Sequence, residues 1–406
     1  MTWRESRHNR KKWYDVPMQL LRIFLTGITP LTAVSAEVTP RFESQTIDDK
    51  IAIGYGLALG DMDGDGRQDI LLADAREFVW YQNPTWEKHV FAKLSGTRDN
   101  VCIAAQDIDG DGKVEVAVGA NWNPGETSDE AQSGSVHYLI RPKEAGALWK
   151  AVELPHEPTV HRMRWVELSK GQWSLVVLPL HGRGNRDGAG DNHVKIQAYH
   201  PGKDPADAQS WRIETLDESM HVTHNLDVLP TAEHALLIGG KEGLLIPPNT
   251  RPVLKDAKDS PLPLRPFTGV GELRWMDADS IAAIEPFHGN LLTFYVKGKD
   301  AGSWERGLLD DQLAQGHALG CADFMGTHSA QIVAGWREPN AAGKLGIKLY
   351  WKSDQGNWTH AWIDENHMAC EDLKIADLNG DGQPDIIASG RSTKNVVIYW
   401  NRTAAK

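Results

Sequence analysis

The sequence predicts an all-β chain closed into a ring of seven four-stranded blades, a β-propeller. Three observations predict it. An Asp/Gly-rich loop between short apolar runs occurs three times. An outer strand opening on an aromatic residue recurs between and after those loops. Tryptophan outnumbers phenylalanine, 16 to 8, as expected where each repeat uses one large indole as a packing anchor.

Residues 1–36 read as an address rather than structure. Arg4, Arg7, Arg10, Lys11, Lys12 and Arg22 form a basic head, an apolar run spans Leu20 to Val34, and Val34-Ser35-Ala36 is a small-x-small cleavage site. Met18 is an alternative start. The apolar run is short of the ~20 residues that a membrane span needs, so the expectation is a signal peptide and a secreted or periplasmic protein without a membrane span, beginning at Glu37. Losing six Lys/Arg and two Asp/Glu with residues 1–36 leaves 37 basic against 53 acidic residues. Such an acidic surface argues against nucleic acid as a partner.

Residues 37–406 read as one domain. Seven inner strands align, beginning at Tyr55, Val101, His161, His224, Gly271, His317 and Glu371, about 53 residues per blade. Outer strands open at Trp86, Trp149, Trp211, Trp304 and Trp358, with Pro252-Val-Leu as a degenerate copy. Phe42-Glu-Ser-Gln-Thr-Ile-Asp has the same shape but precedes the first blade, and the last blade lacks an outer strand of its own. The N-terminal strand therefore completes the last blade, and closure removes exposed sheet edges. Cys102, Cys321 and Cys370 are far apart and odd in number; they read as small buried hydrophobes.

In each Asp-rich loop, side-chain oxygens stand at positions 1, 3, 5 and 9: Asp61, Asp63, Asp65, Asp69; Asp107, Asp109, Asp111, Glu115; and Asp377, Asn379, Asp381, Asp385. Glycines at positions 4 and 6 allow a tight positive-φ wrap, and the carbonyls of Arg67, Lys113 and Gln383 at position 7 supply a backbone ligand. Many hard oxygens at flexible geometry suit Ca²⁺. An EF-hand needs Glu at position 12, where Leu72, Val118 and Ala388 stand. Blade six keeps Asp323 but has Met325 and Thr327 at ligand positions, so three calcium sites are expected. These loops resemble the FG-GAP or VCBS repeats of integrin-like propellers, which implies a structural metal.

Strand alternation puts the starts of the inner strands and the ends of the second strands at the mouth opposite these loops. The starts supply Tyr55, His161, His224, His317 and Glu371; the second-strand ends supply Asp74, Asn121, His181, Lys241, His288, Arg337 and Arg391. Five histidines at one mouth exceed what a solvated rim needs, and mark a candidate pocket. His161, His224 and His317 could ligate Zn²⁺ or another divalent metal with a position left open, or serve as acid, base and donors. Arg337 and Arg391 suit an enediolate-like charge. Tyr55, His181, His288 and Lys241 are expected to bind substrate.

The segments Gln315-Gly-His-Ala-Leu-Gly-Cys-Ala-Asp with Val333-Ala-Gly-Trp-Arg, and Met368-Ala-Cys-Glu-Asp-Leu with Ala388-Ser-Gly-Arg, are similar to the propeller of the aldos-2-ulose dehydratase family. That resemblance implies elimination of water from keto-sugars such as anhydrofructose with metal ions bound, and makes His317, Arg337, Glu371 and Arg391 pocket residues. The family's cupin-like domains have no counterpart in these blades. Two readings stand: a carbohydrate lyase at the mouth, or a non-catalytic propeller that binds a glycan or a protein there.

Overall fold

The computed structural model describes residues 39–96, 98–186, 190–229, 236–247, 269–300 and 303–404; the expected leader and the Pro252 strand lie outside them. Glu37–Lys406 form one compact unit. The described strands make seven antiparallel sheets; six run from an inner to an outer strand in chain order, and in the seventh the outermost strand is the N-terminal one. Six sheets have four strands; the fourth blade has three among the described residues, Thr223–Val228, Leu236–Gly240 and Gly243–Leu245. There is no α-helix among the described residues, only two 3-10 turns, and no helix long and apolar enough to cross a membrane.

The inner strands Gly56–Gly60, Cys102–Gln106, Val160–Ser169, Thr223–Val228, Glu272–Asp277, Gly316–Ala322 and Cys370–Ala376 follow one another around an axis, and the last touches the first. Crowding against the inner strands explains small residues on the second strands. A Cβ on Gly119 would come within 2.5 Å of Cys102 Sγ, and one on Gly335 within 2.7 Å of Cys370 Sγ. Cys102 and Cys370 are buried, Cys321 is half-buried, and all three are unpaired.

The ring closes as expected. Phe42–Asp48 pairs antiparallel with Val396–Asn401, with Phe42 opposite Asn401. Beside it, Arg41 N donates to Thr403 Oγ1 at 3.0 Å.

The core is divided. Buried apolar residues form seven clusters, each built by two neighbouring blades. In one, Leu237 and Leu244 of blade four meet Leu273, Trp275 and Tyr295 of blade five. The outer-strand tryptophans reach back to the preceding blade: Trp149 to Phe91 at 5.4 Å, Trp211 to Tyr138 at 5.4 Å and Trp358 to Phe294 at 5.3 Å between ring centroids. Trp86, Trp149 and Trp211 stand one residue before their strands rather than within them. A second tie, not expected from the sequence, joins third-strand tyrosines to carboxylates of the preceding blade's outer strand. Tyr81 donates to Asp48 at 2.7 Å, Tyr350 to Asp310 at 2.6 Å and Tyr399 to Asp364 at 2.9 Å.

Candidate functional site

At one end of the ring, the three Asp-rich loops share one wiring. The position-1 carboxylate receives the amides of both glycines: Gly64 and Gly66 donate to Asp61 at 2.6 and 2.7 Å, Gly110 and Gly112 to Asp107 at 2.7 and 3.0 Å, Gly380 and Gly382 to Asp377 at 2.8 and 2.7 Å. These glycines all have positive φ, between 74° and 89°. Asp63, Asp109 and Asn379 each accept from the amide two residues on, and so do Asp65, Asp111 and Asp381, whose donors are Arg67, Lys113 and Gln383. Position 9 ties the loop to the sheet: Asp69, Glu115 and Asp385 accept from Met62, Ile108 and Leu378.

Oxygens of Asp61, Asp63 and Asp69 lie within 4.8 Å of one another, as do those of Asp107, Asp109 and Glu115. Burial, with neighbouring carboxylates adding to it, pushes Asp69 and Glu115 up to about 7 and Asp385 up to about 6. A cation among those oxygens would relieve that crowding. Blade six keeps much of the backbone wiring with a single carboxylate: Asp323 accepts from Thr327 and His328, and neutral Gln331 takes position 9, accepting from Phe324 at 2.6 Å.

At the other end, histidines from the starts of the inner strands form a relay between blades. His161 Nδ1 meets the His224 carbonyl at 3.0 Å, His224 Nδ1 the Gly271 carbonyl at 2.8 Å, and His317 Nδ1 the Glu371 carbonyl at 2.6 Å. Each acceptor is the residue at the same register position one blade on. A carbonyl can only accept, so each Nδ1 carries the proton and each Nε2 keeps a lone pair.

The ring contacts define the cluster. His288 lies 4.5 Å from His224 and 4.7 Å from His317 between centroids, and His161 lies 4.7 Å from His224. Ligand atoms of His224, His288 and His317 fall within 4.8 Å of one another, so the imidazole trio is not the expected His161, His224 and His317. His288 replaces His161, because the turn through Phe287, bridged to Val270, returns His288 over the axis. His161 sits beside the trio, stacked on Trp122 at 5.0 Å. His224 Nε2 and His288 Nε2 face each other at 2.6 Å, a separation that two lone pairs do not tolerate without a proton or a cation to share. Burial and the nearby Arg162 lower His161 well below its ordinary value; burial and Arg337 do the same for His317. Burial and His224 bring His288 down to about 2. These three imidazoles are therefore neutral through the neutral range.

Glu371 is buried, 1% exposed, and held by two arginines. Arg337 Nη1 lies 3.2 Å from one oxygen, Arg391 Nη1 3.2 Å from the other, and His317 Nε2 3.9 Å from the latter. Arg391 also lies over the Tyr55 ring at 5.3 Å. Tyr55, His161, His224, His288, His317, Arg337, Glu371 and Arg391 are therefore brought together. His181 and Lys241 flank Val222 through their backbones, His181 in an isolated bridge and Lys241 N donating at 2.9 Å; neither is among the residues tied to the cluster by the distances above. Asp74 turns to the amides of Ala52, Ile53 and Gly54. Trp122 was not foreseen; it follows Asn121, where the second-strand row ended.

Residues 49–118 match the FG-GAP-like repeat family. No curated protein matches the chain in sequence. Among solved structures, a chain of the mitotic checkpoint complex is similar with a TM-score of 0.54 at 13% identity, covering 96% of this chain and 100% of that one. BBS1N from its complex with ARL6DN gives 0.54 at 11% identity, covering 90% and 98%. The extracellular domain of a one component system from B. thetaiotaomicron gives 0.50 at 11% identity, covering 88% of this chain and 39% of that one. At such identities the likeness is one of fold.

Proposed function

We propose that this FG-GAP-type β-propeller is an exported carbon-oxygen lyase that dehydrates keto-sugars at its imidazole mouth, with calcium in its three Asp-rich loops. The observation that carries the reading is the convergence of buried, neutral imidazoles beside an arginine-clamped carboxylate, from four blades, at one mouth.

His224, His288 and His317 would hold a zinc-class divalent ion. The donor set fits, because the Nδ1 bonds of His224 and His317 to backbone carbonyls are the outer bonds that orient metal-binding imidazoles. Bound there, the ion supplies Lewis-acid polarisation of the substrate carbonyl. His161, outside the trio with its Nε2 lone pair free, takes the proton α to that carbonyl. The C–H electrons form the new double bond, the β carbon–oxygen bond breaks, and the hydroxyl leaves as water with the proton that His161 has taken, which returns His161 to its neutral form. Arg337 and Arg391 face the enolate-like charge. Glu371 positions both guanidiniums; its oxygens are occupied, so the base is an imidazole rather than the carboxylate.

The second reading, a mouth that binds a glycan without transforming it, draws on the same occupied carboxylate. One experiment separates them. Metal analysis of purified protein should find one zinc-class ion per chain besides calcium, and the protein should convert anhydrofructose to an enone followed by absorbance. His317→Ala should lower that turnover at least a hundredfold while calcium-dependent stability persists. Glycan binding without turnover in metal-replete wild type would leave the binding reading standing alone.

A further inference from the structure

Beneath the imidazole mouth, the ring encloses a second polar chamber that the proposed chemistry does not use. It is a cavity of about 250 Å³ walled by inner strands of blades one to five and seven. Its wall carries four cations, Arg162, Arg164, Arg274 and Lys374, against one carboxylate, Asp372, with Asn225 beside them. Strand geometry explains the grouping: Arg162 with Arg164, and Asp372 with Lys374, are two apart on their strands and face the same way.

Two of the cations are compensated. Lys374 pairs with Asp372 at 2.8 Å, and Arg274 with Glu272, two residues before it on the same strand, at 3.5 Å. Arg162 and Arg164 have no carboxylate within salt-bridge reach among the described residues. Each has one hydrogen bond, Arg162 Nη1 to the His161 carbonyl at 3.1 Å and Arg164 Nε to the Leu226 carbonyl at 3.1 Å. A guanidinium has five N–H donors, and both side chains line the chamber. A half-buried cation without a close counter-charge is costly. Burial, with Arg274 adding to it, lowers Arg164 against the pull of Asp227, Asp372 and Glu272, whereas Glu272 and Asp227 outweigh burial and raise Arg274. Lys374 is brought down to about 8 by burial, with Arg164 and Arg274 opposing Asp372.

We propose that this axial chamber is an anion site, taking a small inorganic oxyanion of the sulfate or phosphate class on Arg162 and Arg164. The chamber has room for such an ion with some of its water, whose share is about 30 Å³ per molecule. Planar guanidiniums match oxyanion geometry with paired donors. The site stands independently of the lyase reading.

The test is calorimetric titration of sulfate into the calcium-loaded full chain at constant ionic strength, for wild type, Arg164→Gln and the exposed control Arg212→Gln. One saturable site is expected, weakened at least tenfold in Arg164→Gln and unchanged in Arg212→Gln. Should Arg164→Gln fail to fold, crystals of the unaltered protein soaked in selenate give the location. Anomalous selenium density within hydrogen-bonding reach of Arg162 or Arg164 supports the site. Equal sulfate affinity in all three proteins, or selenium only at the outer surface, overturns it.

Discussion

His224 shows how one residue at one register position builds a site. Its carbonyl receives His161, its Nδ1 donates to Gly271, and its Nε2 faces His288. The positions of His161, His224 and His317 were legible in the sequence, because they recur at the start of an inner strand. The trio was not, since His288 depends on a turn whose path no strand periodicity encodes. Trp122 escaped for a similar reason, three residues past the end of its strand. The distinction is testable by zinc titration against a chromophoric chelator. His288→Ala should weaken zinc binding at least tenfold, whereas His161→Ala should retain stoichiometric zinc and lose turnover. Equal zinc loss in both variants would return His161 to the ligand set.

Among elements, the loops and the tyrosine ties between blades behave differently. The loops were plain in the sequence, since oxygen residues and glycines repeat at fixed spacing. The ties were hidden, because Tyr350 and Asp310 belong to different blades and only the ring brings them together. Excess chelator should lower the melting temperature by at least about 5 °C, and calcium, not zinc, should restore it. No shift in chelator would argue against metal in the loops. Asp310 also contacts Lys348 at 2.9 Å. Burial pushes its carboxyl up, but the bonds from Tyr350 and Lys348 outweigh burial and hold it below 3.8. Its contribution is therefore complete above that value and lost as pH falls through the lower, folded-state value. Asp310→Asn should cost about 3 kcal/mol near neutrality, because Lys348 is left buried and unpaired. In urea titrations, the gap between wild type and variant should close in acid; a gap independent of pH would place the stabilisation elsewhere.

On the scale of the whole molecule, seven interfaces replace a single core, and one borrowed strand closes the circle. That architecture was readable from the spare strand at Phe42 and the missing one after Asn401, because a ring must account for every strand. A chain starting at Lys50 would leave Val396–Asn401 as an open edge. It should elute as aggregate or melt well below the full chain in gel filtration and calorimetry; a monomer of unchanged stability would show that closure contributes little.

The same borrowed strand fixes a polarity. Phe42 stands opposite Asn401, and the Asn401 amide donates to Asp385 of the last Asp-rich loop at 2.8 Å. Both ends of the described chain therefore leave the ring on its Asp-rich-loop rim, side by side. A bead, a fluorophore or a neighbouring domain joined to either end would hold the molecule by its back, with the imidazole mouth on the opposite face.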